Sequence, residues 1–183
     1  MKLSLGGIYQ VFLFLLISSS VLPSIAASVN DAGKGVVNME GMIVERPCAI
    51  DVGDNDQTLE MDTVPVNQLV RDGRGPQKNF TIRLVDCVLS RLDSEKPDWK
   101  SFSVTFNGES DQDYFALSGE AGGIALAITD EEGNLARPGY AMLPAAVIPG
   151  EMLLRYTVNL VGNRKNLRAG NYQAAIRFTM NYN

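Results

Sequence analysis

Two cysteines, Cys48 and Cys87, and several groups of carboxylates are the residues of this 183-residue chain whose types and spacing could do chemistry. The chain has no histidine, which excludes Ser-His-Asp and Cys-His nucleophilic mechanisms and every zinc site built on imidazole. Asp51, Asp54 and Asp56 are spaced somewhat like a calcium loop but lack the glycine and the closing glutamate of an EF-hand. Asp111 with Asp113, or Asp130 with Glu131 and Glu132, could serve as a general acid and base for glycoside hydrolysis. Each of these pairs sits among turn-forming residues, where acidic groups need no task beyond solvation. Trp99, within Pro97-Asp98-Trp99-Lys100, could offer its ring to a sugar or a partner, but packing at a sheet edge is the expectation. Asn79-Phe80-Thr81 matches a glycosylation sequon and is read as a chance match within a strand.

What must position these residues follows from composition and patterning. The chain is 45% hydrophobic and 20% charged, one domain's worth of globular protein. With 16 basic and 21 acidic side chains its formal net charge is -5, so nothing here could hold a phosphate backbone, and nucleic acid is excluded as a partner. Lys2 precedes the apolar run Val11 to Ile17, which is too short to span a bilayer, and small residues follow Pro23. This is the pattern of a secretory signal peptide over residues 1–27, cleaved after Ala26 or Ala27, with an N-terminal membrane anchor as the alternative. Export changes the reading of the cysteines, because an oxidising compartment turns an isolated pair into a disulfide. A Cys48–Cys87 bond would close a loop of about 40 residues and stabilise the fold by roughly 4 kcal/mol on the chain-entropy model.

The mature chain is expected to be all-β. Runs rich in β-branched and apolar residues at 41–44, 58–61, 80–87, 102–106, 124–129, 153–161 and 172–182 read as strands. Turn chemistry separates them, as at Asn107-Gly108, Gly133-Asn134, Pro138-Gly139, Pro149-Gly150 and Gly170-Asn171. Helix is expected only as a turn or two near 66–70. Short strands with regular turns indicate a β-sandwich. Two segments alternate with a period of two. Ala174, Ile176, Phe178, Met180 and Tyr182 place apolar groups on one face of the last strand, which ends one residue before Asn183. Gly33, Gly35, Val37 and Met39 share one face of an arm over 28–39. Its first eleven residues reach at most about 36 to 40 Å when extended, enough to run the length of a strand. The glycines would let the arm pass close to another backbone, or keep it adaptable before capture.

In their order and spacing, the arm, the Gly41-to-Cys48 and Phe80-to-Cys87 segments, Val104-Thr105-Phe106-Asn107-Gly108 and a last strand with penultimate Tyr182 resemble the pilin subunits of bacterial chaperone-usher fimbriae. The stretch from Gly133 through Tyr156 to Tyr172 looks most like the minor subunit that terminates and anchors P-type pili. The resemblance implies an incomplete immunoglobulin-like β-sandwich over 40–183, lacking its last strand and completed by a donated one. It implies that a periplasmic fimbrial chaperone first lends that strand, and that at the outer-membrane usher the arm of a neighbouring pilin subunit replaces it. Carried over by position, Gly33, Gly35, Val37 and Met39 would form the donor strand. Ala174, Ile176, Phe178, Met180 and Tyr182 would line the acceptor groove, and Asn183 would offer a terminal carboxylate to the chaperone. Family members often carry Phe where Met39 stands, which implies a softer anchor here. The protein would be a structural subunit without catalysis, metal or cofactor, passing through the periplasm to a fimbrium on the cell surface or at its outer-membrane base. Two arrangements without a groove remain: the arm could fold back onto its own domain, or the chain could be a self-contained secreted module that binds carbohydrate or protein through its loops.

Overall fold

The computed structural model describes residues 36–183; the expected signal peptide, together with Gly33 and Gly35 of the arm, lies outside the described residues. The chain divides into two units at Met42 and Ile43. In the first, described from residue 36, the backbone forms no regular structure, and the side chains of Val36, Val37, Met39 and Met42 are exposed.

The second unit is built from twelve strands, one short α-helix and a 3-10 turn at Val52–Asp54. Strands β1 (Ala49–Ile50), β2 (Arg74–Cys87), β10 (Gly150–Gly162), β7 (Ile124–Asp130), β5 (Tyr114–Phe115) and β4 (Ser110–Asp111) follow one another across one antiparallel sheet, with β8 (Leu135–Ala136) also on β7. A second sheet has the order β12 (Arg177–Tyr182), β3 (Ser101–Asn107), β9 (Ala145–Ala146). A separate two-stranded ladder joins β6 (Ser118–Gly119) to β11 (Tyr172–Gln173).

Alternation builds the core. In β2, Ile82 and Leu84 are buried while Arg83 between them is exposed; in β3, Phe102, Val104 and Phe106 are buried. The two inner faces meet through aromatic rings. Phe80 stacks on Tyr156 at 5.4 Å, Phe106 meets Tyr156 edge-on at 5.0 Å, and Phe178 of β12 lies 6.4 Å from Phe106. Cys48 and Cys87 form the expected disulfide, with Cα atoms 4.1 Å apart. It flanks the β1–β2 pair, where Ala49 lies opposite Val85. The expected helical turn is helix α1 (Val66–Asp72), which buries Leu69 and ends on Gly73 in the left-handed conformation, where the Gly73 N–H donates to the Leu69 carbonyl.

Three strand expectations need correction. Within the described residues, 41–44 and 58–61 form no strand, although both carry strand-forming residues. A strand needs a neighbouring edge: the side chains of Met42, Ile43 and Val44 are exposed, and 58–61 faces an open groove. The run 172–182 is two strands, not one, because Tyr172 and Gln173 pair with β6 while Arg177 to Tyr182 pair with β3. The intervening Ala174, Ala175 and Ile176 are the crossing between these sheets.

Candidate strand-accepting groove

Strand β12 lies at the border of its sheet. Phe178 pairs with Phe106 and Met180 with Val104 in the β3 ladder, and among the described strands none occupies its other side. Opposite that free edge runs the segment 54–64. Between them opens a groove of about 1480 Å³. Its floor is the inner face of the larger sheet, including Phe80, Ile82, Leu126, Ile128, Val158 and Leu160. One lip is the 54–64 segment and the other runs from Arg168 to Phe178.

The row of side chains anticipated on the last strand takes the expected alternation. Ile176, Phe178, Met180 and Tyr182 are half-buried and pack against the core, while Arg177, Thr179 and Asn181 are exposed. Ala174, Ile176 and Phe178 line the groove, Ala174 as an exposed residue. Tyr182 continues the row between Trp99 and Phe102, each ring 6.1 Å away, and burial pushes its phenol above the usual range. The Trp99 ring is covered on its face by the Arg91 guanidinium at 3.5 Å, a packing role. The Asn183 carbonyl oxygen accepts from the Lys100 and Ser101 N–H groups at 2.8 and 3.2 Å, and its own N–H donates to the Ser101 carbonyl at 2.8 Å. Val37 and Met39 of the arm present exposed side chains.

The 54–64 lip was not legible as part of the site. It is held to the outer edge of β2 by side chains, not by a ladder. The Gln57 amide donates to the Thr81 carbonyl at 2.7 Å, the Arg83 N–H donates to the Asp54 carboxylate at 2.6 Å, and the Lys78 ammonium donates to the Glu60 carbonyl. A signal did exist: Leu59 and Met61 alternate with acidic residues, as on a strand edge, but the sequence names no neighbour for them. At one end of the groove the lip that begins at Arg168 is tied to residues 118–122. The β6–β11 ladder and an isolated bridge between Gly122 and Arg168 make this tie, with the Arg168 guanidinium donating to the Glu120 carbonyl at 2.6 Å. Burial, with the Asp62 charge, raises the Tyr172 phenol at this end.

The carboxylates considered for calcium binding or catalysis are engaged in turns and surface pairs. Asp51 accepts from the Gly53 N–H at 2.9 Å, and Asp130 accepts from the backbone and side-chain amides of Asn134 at 2.8 and 2.9 Å. Arg137 lies 3.4 Å from Asp113. Asp111 accepts from Lys165 at 2.9 Å and from the Asn163 amide at 2.6 Å. Hydrogen bonding to the Lys165 ammonium, against the effect of burial, holds Asp111 below the usual carboxylate range.

Two sheets packed on one aromatic core, with an apolar-lined groove beside a free strand edge, define an immunoglobulin-like sandwich short of its last strand. No protein-family model matches the chain. It is 35% identical over 150 residues to the PRS fimbrial minor pilin protein of Escherichia coli, covering 81% of this chain and 77% of that one, and the PAP fimbrial minor pilin protein of Escherichia coli matches to the same extent. The Fimbria A protein of Serratia marcescens is 30% identical over 161 residues, covering 85% of this chain and 88% of its own. Among solved structures, the P pilus rod subunit PapA superposes with a TM-score of 0.68 at 19% identity over 75% of this chain and all of that one. A subunit of a chaperone-usher pilus superposes with 0.64 at 20% identity, over 83% and 97%. The chain belongs to the pilin subunits of bacterial chaperone-usher fimbriae.

Proposed function

We propose that this pilin is a non-catalytic minor subunit that terminates or anchors a fimbria and is assembled by strand donation. The groove beside β12 receives its missing strand from a periplasmic chaperone. At the outer-membrane usher the arm over 28–39, with Gly33, Gly35, Val37 and Met39 inward, completes the neighbouring subunit. The observation that carries this is the free β12 edge above an apolar floor, where an added strand gains backbone hydrogen bonds and covers Ile176 and Phe178 together. A minor position is supported by the minor-pilin relatives, and termination is the part of the proposal that the exchange experiment below tests. Asn183, with its carbonyl held by Lys100 and Ser101, would be the anchor point for the chaperone.

The test has two arms. A denaturant melt of residues 41–183, with and without residues 28–39 linked after Asn183, asks whether an added strand raises the midpoint; equal midpoints remove the groove from the reading. Exchange of chaperone for a labelled arm peptide asks about position. A terminator keeps its chaperone for hours while its own arm displaces chaperone from another pilin; rapid exchange at this groove would make it a shaft or adaptor subunit.

A further inference from the structure

The groove is charged unequally. The lip from 54 to 64 contributes Asp54, Asp56, Glu60 and Asp62 to the lining, and the 51–70 stretch contains no lysine or arginine. The opposite lip contributes Arg168 and Arg177, and Arg168 is already turned onto the Glu120 carbonyl. Glu109 adds a further carboxylate, so the lining carries five acidic groups against two basic ones. A strand laid between the lips would put alternate side chains on the apolar floor and the rest outward, beside these charges.

We infer that the groove selects an extended strand from a different protein, one whose outward positions carry lysine or arginine, in preference to the arm of a second copy of this chain. The inference rests on the strand-accepting reading and adds the chemistry of the occupant. The charge complement decides it. Residues 28–39 contain one acidic and one basic group, Asp31 and Lys34, which cancel, whereas the lining is net negative by three and still by two with Lys78, whose ammonium rests on the Glu60 carbonyl. With Val37 and Met39 inward, the outward positions next to Lys34 are Val36 and Asn38, which are uncharged. A self-donated arm therefore leaves most lip carboxylates without a partner. A cationic strand pairs them across the ladder, where opposite charges attract and like charges repel. The acidic lip also raises the encounter rate for such a strand at low salt.

The test uses the oxidised full chain and three fluorescent peptides of residues 28–39. One has the natural sequence, one carries Val36→Lys with Asn38→Lys, and one carries Val36→Glu with Asn38→Glu. The inward residues are the same in all three. Anisotropy titrations at about 50 mM salt should rank the lysine peptide first and the glutamate peptide last, about tenfold apart. That gap should shrink severalfold at about 0.5 M salt, where exposed charges are screened. Asp56→Asn with Glu60→Gln, two exposed side chains, should narrow it as well. Equal affinities, an inverted order, a gap indifferent to salt, or tightest binding by the natural arm would overturn the charge selection while leaving the strand-accepting groove in place. Failure of all three peptides to bind would overturn both.

Discussion

Replacing Gly119 by alanine should loosen the β6–β11 ladder beside the groove, and the structure gives the magnitude. At Gly119 φ is +121°, and an added Cβ would lie 2.4 Å from the Asn171 carbonyl oxygen, a backbone atom that cannot rotate away. Gly133 is the control: its φ is +85°, but a Cβ there meets nothing within 4 Å. Left-handed strain alone costs an L-residue about 1–2 kcal/mol, which is the expectation for Gly133→Ala. At Gly119 the strain is joined by displacement of Asn171, whose carbonyl accepts the Glu120 and Ala121 N–H groups at 2.8 and 3.0 Å. Losing those two bonds at about 0.5–1.5 kcal/mol each brings the total for Gly119→Ala to roughly 2–5 kcal/mol. Urea melts of the oxidised chain, fitted with a common slope, measure both. A Gly119→Ala loss no larger than that of Gly133→Ala would refute the close approach of β6 to β11.

Reducing the Cys48–Cys87 bond, or replacing both residues by serine, should lower stability by about 4 kcal/mol, since the bond links residues 39 apart in sequence, and melts with and without reductant read this directly. Phe178→Ala removes a half-buried ring packed on Phe106; the domain should lose about 2–3 kcal/mol, less than for a fully buried ring, and a tethered strand should recover less of its midpoint than in the parent. The depressed Asp111 pKa contributes stability that is complete above the unfolded value near 3.9 and is lost as pH falls through the lower folded value. Acid titration of Asp111→Asn should therefore be flatter than the parent below about pH 4, while parallel curves would show that the Lys165 pair does not contribute.

The strands that could be read from sequence were those with both a strong alternation and a partner within the domain. Phe102 to Phe106 and 124–129 fall inside β3 and β7, and 80–87 is the apolar half of β2. The other half of β2, Arg74 to Asn79, escaped because its residues are mostly polar and glycine; what makes it a strand is the β10 ladder, in which Asn79 faces Thr157 and Lys78 faces Val158. The opposite error at 58–61 has the same origin. Leu59 and Met61 have strand character, but no strand of this domain pairs with them. Half of the site was visible in the Ile176-to-Tyr182 alternation, because periodicity is local. The other lip and the floor, from Phe80 to Leu160, are assembled by long-range pairing and leave no local mark.

The half-buried row Ile176, Phe178, Met180 and Tyr182 carries a thermodynamic consequence. Covering it moves apolar surface out of water, so docking of a strand should lower the heat capacity as the final stage of folding does. On the strand-accepting reading proposed above, a bound strand adds to the domain's own stability and raises its melting temperature with the logarithm of strand concentration.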